Sequence, residues 1–178
     1  MYIWIACNVS KAFDSLRAAC IRINREFNLD EVAFSLPQHI SLKMSFEVDD
    51  GIAADVIEFI SEYLSEQGNF IINRPKIEIF GSILWLAFDD DSNLSRIHTE
   101  LDDLLMERFC VPLHEFDRCF KFHSTLFIDE HEGLLRMQER ISRLSVPDEI
   151  SIDSFLIGTS PSGKAGDYSV IKRIPCKK

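Results

Sequence analysis

Two short motifs in the chain set an imidazole beside a hydroxyl: His39-Ile40-Ser41 and His123-Ser124-Thr125. Each falls in a run that reads as a strand. Over 39–46, Ile40, Leu42, Met44 and Phe46 alternate with His39, Ser41, Lys43 and Ser45, so the two sets face opposite ways. Residues 120–128 form a second run, in which Phe127 joins His123 and Thr125 on one face. Residues i and i+2 of a strand share a face and lie roughly 6.6 Å apart along its axis. If the two strands meet across a pseudo-twofold axis, two imidazoles and two hydroxyls converge. That set suits phosphodiester chemistry. A neutral His39 or His123 can take a proton from water or a ribose hydroxyl, and the other, protonated, can give one to the leaving oxygen. Imidazole titrates near pH 6.5, so both forms are within reach near neutrality. Ser41 and Thr125 can donate to non-bridging phosphate oxygens as charge builds there. The scheme calls for no metal and no cofactor.

Lys43 follows His39 and Ser41 on their face, and Lys121 precedes His123 on its face. Both are candidate substrate contacts, with a solvated lysine on an exposed strand face as the equal alternative. Tyr168 is a third candidate, able to stack on a base or donate to phosphate. The tail from Pro161 carries Lys164, Lys172, Arg173, Lys177 and Lys178 against Asp167 and reads as a basic patch, and Lys164 is a weaker candidate for a phosphate. His98 lies at the edge of an apolar helix face and reads as a packing residue. His114 sits in a loop and His131 near a helix start. No HxxxH or HExxH spacing occurs, so no dedicated metal site is expected. Trp4 and Trp85 lie in apolar strands and read as core. Gly158-Thr-Ser-Pro-Ser-Gly-Lys164-Ala165 approaches a phosphate-binding loop, but Ala165 lacks the hydroxyl needed there and Gly166-Asp167 oppose a following helix. A hairpin turn is the better reading.

The elements that must position these groups are legible from periodicity. Residues 2–9 form an apolar strand. Ser10 could cap a helix whose face is Phe13, Leu16, Cys20, Ile23 and Phe27. A second helix covers about 51–66 and ends at Gly68. Strands are expected over 70–80 and 82–89, and Asp91 or Ser92 opens a helix with Leu94, Ile97, Leu101, Leu104 and Leu105 inward. A helix over 131–145 and strands over 150–158 and 167–174 complete the chain. Each half thus offers strand, helix and motif-bearing strand. Helices mixed with hairpin-like strand pairs favour an α+β fold with antiparallel sheets.

The composition sets limits. At 178 residues, with 46% hydrophobic and 27% charged residues, the chain can bury a core without disulfides. Fourteen Phe against seven Gly and six Pro argue against long disorder. The net charge of −10 argues against coating duplex DNA or an anionic membrane, though not against a small phosphorylated ligand or an RNA end. Cys7, Cys20, Cys110, Cys119 and Cys176 are scattered, odd in number and free of CxxC spacing, as expected for thiols in a reducing cytoplasm. The start lacks a charged leader, and no run approaches the ~18 apolar residues of a membrane span.

The paired motifs His39-Ile-Ser41-Leu42 and His123-Ser-Thr125-Leu126 resemble the signature of the 2H phosphoesterase superfamily, which includes bacterial 2′-5′ RNA ligase and cyclic phosphodiesterase-like proteins. Pro37-Gln-His-Ile-Ser-Leu-Lys43 resembles the surroundings of its first motif, and Tyr168 with Ile171-Lys-Arg-Ile174 its closing strands. The resemblance implies one bilobal domain over 1–178. It implies two antiparallel sheets flanked by helices, a central cleft, and metal-independent attack on 2′,3′-cyclic phosphates or 2′-5′ linkages. A non-catalytic nucleotide- or RNA-end-binding module using the same cleft is the alternative. The sequence departs from the pattern at Ser124, where an apolar residue is usual, and at Ser41, where threonine is more frequent.

Overall fold

The computed structural model describes residues 1–178 except Asp30, Arg74, Asp89, Asp90, Glu130, Leu144, Lys178 and the side chains of His131 and Glu132. In chain order the elements are β1 (Tyr2–Asn8), α1 (Ser10–Phe27), β2 (His39–Ser41), β3 (Phe46–Glu47), α2 (Ala53–Ser65), β4 (Phe70–Asn73), β5 (Lys76–Phe80), β6 (Ile83–Ala87), α3 (Ser92–Phe109), β7 (His123–Ile128), α4 (His131–Ile141), β8 (Glu149–Ile152), β9 (Ser154–Ser160) and β10 (Ser169–Pro175). Short 3-10 turns lie at Val32–Phe34 and Glu115–Cys119.

The apolar run at the start becomes the central strand of the larger sheet. β1 is buried along nearly its whole length and pairs antiparallel with β9 on one side and with β2 and β3 on the other, giving the order β10-β9-β1-β2. A second antiparallel sheet runs β5-β6-β7, and β4 pairs with β8. The α+β expectation holds: among the described residues four α-helices accompany antiparallel pairing in every sheet. The larger sheet contains the first motif and the three-stranded sheet the second. One continuous hydrophobic cluster joins Ile3, Ile5 and Ile157 of the first to Leu84, Leu86 and Phe127 of the second.

The helices follow their apolar spacing. Phe13, Leu16, Cys20 and Ile23 of α1 are buried, as are Leu94, Ile97, Leu101 and Leu105 of α3. Asp91 caps α3 by accepting from the backbone N–H groups of Asn93 (2.9 Å) and Leu94 (3.0 Å). Ser10 is the first helical residue rather than a cap; its N–H donates to the Asn8 side chain instead.

Two expected strands are broken. The run 39–46 divides into β2 and β3, because residues 42–45 bend. Lys43 turns inward to two buried carboxylates, and the Met44 N–H donates to Asp117 Oδ1 at 3.1 Å. The run 70–80 divides into β4 and β5 before Pro75, which has no N–H to give a ladder. The two pieces then join different sheets. Residues 161–168 form the turn between β9 and β10, so the glycine-rich stretch is a hairpin connection. Among the described residues no helix is long and apolar enough to cross a membrane.

Candidate active site

β2 and β7 bring the two motifs to one cleft of about 410 Å³, lined by His39, Ser41, His123 and Thr125. Its walls are otherwise largely apolar and include Trp4, Leu36, Ile83, Phe120 and Tyr168. The seam between the strands is polar and buried. Gln38 Nε2 donates to Ser124 Oγ (2.7 Å) and to the Thr125 carbonyl (2.8 Å), and Ser124 Oγ donates onward to the His39 carbonyl (2.7 Å). The residue that departs from the resembled pattern therefore ties one motif to the other. A hydroxyl completely removed from water needs such partners.

Both imidazoles are oriented alike. His39 Nδ1 lies 2.7 Å from the Pro37 carbonyl, and His123 Nδ1 lies 2.7 Å from the Lys121 carbonyl. A carbonyl only accepts, so each Nδ1 carries the proton and each Nε2 is left for chemistry. Burial pushes His39 down to about 4 against the pull of the Pro37 carbonyl, and the neighbouring His123 and Arg17 lower it further. Burial also lowers His123, again opposed by its own carbonyl bond. Both rings are therefore neutral at pH 7 in the free protein.

The tryptophans are buried as expected, but they also form the bed of the site. Trp4 meets the His39 ring edge-on with centroids 4.5 Å apart, and its Nε1 donates to Ser41 Oγ at 3.1 Å. That bond uses the serine oxygen as acceptor and leaves its O–H free to donate elsewhere. Gly158 makes room for Trp4: a Cβ there would sit 2.7 Å from the indole and 2.9 Å from the Ser169 carbonyl. Trp85 lies 4.2 Å from the His123 ring. Sequence alone gave their burial in apolar strands but not this role, because the pairing of those strands with the motif strands exists only in the fold.

The other candidates fare differently. Lys43 lines the cleft, but it is only 2% exposed, and its Nζ sits between Asp102 Oδ1 (2.5 Å) and Asp117 Oδ2 (2.8 Å). Its charge is thus already matched, which corrects the picture of a cation on an exposed strand face. Burial pushes Asp117 up, but the bonds from Lys43 and from the His114 and Met44 N–H groups outweigh this and hold it below the usual carboxylate range. His98 packs here as expected, stacked on Phe120 and pinned between the Leu42 and Asp117 carbonyls. His98, Asp102 and Asp117 bring ligand atoms within 4.8 Å of one another, a spacing that could hold a metal ion; the Lys43 ammonium is the cation bonded to both carboxylates. No sequence spacing announced this cluster. Lys121 is exposed, with Nζ over the Phe80 ring. Tyr168 lines the cleft and spends its O–H on the Gly163 carbonyl at 3.3 Å, bracing the 161–168 turn. Lys164 is exposed on that turn, between cleft-lining Gly163 and Ala165. Of the basic tail, Lys172 and Arg173 border one surface pocket with Glu58 and Glu62 of α2, Lys177 pairs with Glu66 just beyond α2, and Lys178 falls outside the described residues. His114 accepts from the Phe116 N–H and caps a 3-10 turn, and the His131 side chain is not among those described.

No protein-family model matches the chain, and no curated protein matches it in sequence. Solved structures do match its shape. Escherichia coli LigT in complex with 3′-AMP superposes with a TM-score of 0.63 at 14% identity, covering 99% of this chain and 98% of that one. A protein of Thermus thermophilus gives 0.62 at 15% identity, over 98% and 97%. A structure described as a phosphoesterase gives 0.60 at 15% identity, over 99% and 98%. The chain therefore has the LigT-like α+β fold from end to end.

Proposed function

We propose that the cleft is the active site of a metal-independent phosphoesterase acting on 2′,3′-cyclic phosphates or 2′-5′ linkages of nucleotides or RNA ends. One observation carries this reading: two imidazoles, each with its Nδ1–H donating to the carbonyl two residues upstream, face one cleft beside the Ser41 and Thr125 hydroxyls. The shared fold supports it, as does the 3′-AMP complex of E. coli LigT.

His39, the more strongly depressed ring, is the base. Its Nε2 takes the proton of the attacking water, the new P–O bond forms, and the bond to the leaving ribose oxygen breaks. His123 gives that oxygen its proton. Neutral in the free protein, His123 acquires this proton when the phosphate anion enters, since a nearby negative charge favours imidazolium. After turnover His39 returns its proton to solvent. Ser41 and Thr125 donate to the non-bridging oxygens as their charge grows. The apolar walls and the matched charge of Lys43 suit a small nucleotide better than a long polyanion.

The test is turnover of 2′,3′-cyclic nucleotides and a 2′-5′ dinucleotide in EDTA. His39→Ala and His123→Ala should each lose at least about a hundredfold in rate. Undiminished turnover in both variants overturns the mechanism, while saturable binding with the ligand left intact would make the cleft a binding module.

A further inference from the structure

The protein carries a net charge of −10, and its cleft shows a phosphate little positive charge. Among the described residues lining the cleft, Lys43 is the only lysine or arginine, and its ammonium is bonded to Asp102 and Asp117. Behind one wall stands a second cation, Arg17 of α1. Its Nη2 donates to the Phe34 carbonyl at 2.8 Å, and its guanidinium lies 5.7 Å from the centre of the Phe34 ring. Phe34 in turn meets Phe127 of β7 edge-on, with centroids 5.9 Å apart. Its neighbours Val32, Ala33, Ser35 and Leu36 line the cleft, and Leu36 packs against Trp4, which touches His39. Arg17 is thus one residue removed from the wall beside the first motif.

This guanidinium is poorly compensated. It is half-buried, and its Nη1 is buried with no hydrogen-bond partner among the described residues. Leaving such a donor unmade is costly, so its retention calls for an account. Burial lowers Arg17 from its ordinary value, opposed by Asp14 one turn earlier and by Cys20. Asp14 is exposed, so water screens its charge and it offsets the guanidinium only in part. The field of Arg17 reaches the site. Burial is the main force lowering His39, the Pro37 carbonyl opposes it, and the charges of His123 and Arg17 lower it further. A charge that disfavours imidazolium at His39 favours an anion in the same place.

We infer that Arg17 is a positioning residue for the substrate phosphate: fixed behind the 32–36 wall by the Phe34 carbonyl, it acts through space on the anion held between the two histidines. The inference rests on the reading that the cleft receives a phosphate ester, and it supplies the charge that Lys43 does not. Arg17 works by field and not by contact, across a wall of low dielectric where such a field is strong.

The test titrates 3′-AMP calorimetrically into the natural chain, Arg17→Met and Arg17→Lys, beside an NMR pH titration of the His39 ring in each. Arg17→Met should weaken 3′-AMP binding about tenfold, the effect of one unit charge on another across roughly 12 Å at an effective dielectric constant of ~20. It should also move the His39 midpoint up from about 4. Arg17→Lys keeps the charge and should restore both. A residue that only braced the wall would give the opposite sign at His39, because a loosened Pro37 carbonyl no longer favours imidazolium. A His39 midpoint that stays or falls in Arg17→Met overturns the inference, and so does 3′-AMP binding that is unchanged or that Arg17→Lys fails to restore. Failure of the phosphoesterase reading looks different: the natural chain would turn over neither 2′,3′-cyclic AMP nor a 2′-5′ dinucleotide. Arg17 then keeps its role only if the two variants still separate on 3′-AMP, and a natural chain that does not bind 3′-AMP overturns it as well.

Discussion

His39 and His123 are held alike at the front, each by a carbonyl two residues upstream and each against a tryptophan, yet the structure behind them differs. The residue after His39 is Ile40, fully buried in hydrocarbon; the residue after His123 is Ser124, equally buried but hydrogen-bonded across the seam. Four residues after His39 stands Lys43 in a buried charge cluster. Four residues after His123 stands Phe127, in the apolar core against Phe34. Trp4 Nε1 donates to Ser41, while Trp85 Nε1 is buried with no hydrogen-bond partner among the described residues. The proposed chemistry constrains only the front of each motif. Behind it, each position takes charge or hydrocarbon according to what the neighbouring elements supply.

Lys43 gives the largest way to break this comparison. Lys43→Met would leave Asp102 and Asp117 buried without their cation, and removing one partner of such a cluster costs about 3–5 kcal/mol. Urea unfolding at pH 7 should show a loss of that size. A loss below about 1 kcal/mol would mean that the cluster relaxes like an ordinary core position and that the two halves differ less than their geometry indicates.

The next effect separates the two imidazoles. His39 falls to about 4 in the fold, against roughly 6.5 in the unfolded chain. Between those values the unfolded chain binds a proton that the folded chain refuses, so stability must fall as pH drops through the window. The expected contribution is about 3 kcal/mol. His39→Gln should flatten the stability profile between pH 6.5 and 4 more than His123→Gln does. Equal flattening would remove the basis for assigning His39 as base.

Much of the front was legible in the sequence and much of the back was not. Period-two alternation placed His39 with Ser41 and His123 with Thr125, and period-3.6 spacing located the four helices. Lys43 misled because alternation alone continues a strand through it. Asp102 and Asp117, which pull it inward and bend the chain, lie 59 and 74 residues away. The tryptophans misled in another way: hydrophobicity predicts their burial but says nothing about which ring each one touches. Ser124 looked like a mere departure from a pattern, since its partners Gln38 and His39 come from the other sheet.

Ser124 therefore supplies the finest test, because it decides whether the halves are tied or merely adjacent. Ser124→Ala removes the hydroxyl and adds no bulk to a fully buried position. Gln38 Nε2 retains the Thr125 carbonyl, so the main loss is an unsatisfied His39 carbonyl inside the seam. An unmade buried hydrogen bond of this kind costs about 1–2 kcal/mol. Gln38→Leu alone should cost a similar amount, by stranding the Thr125 carbonyl, while Ser124 Oγ keeps its bond to the His39 carbonyl. If the two side chains act as one strut, the double variant should cost less than the sum of the singles, because the bond between them is lost only once. Strict additivity in thermal unfolding would show that the strands are held together by the surrounding core alone, and that the polar seam is a neighbour of the site rather than its brace.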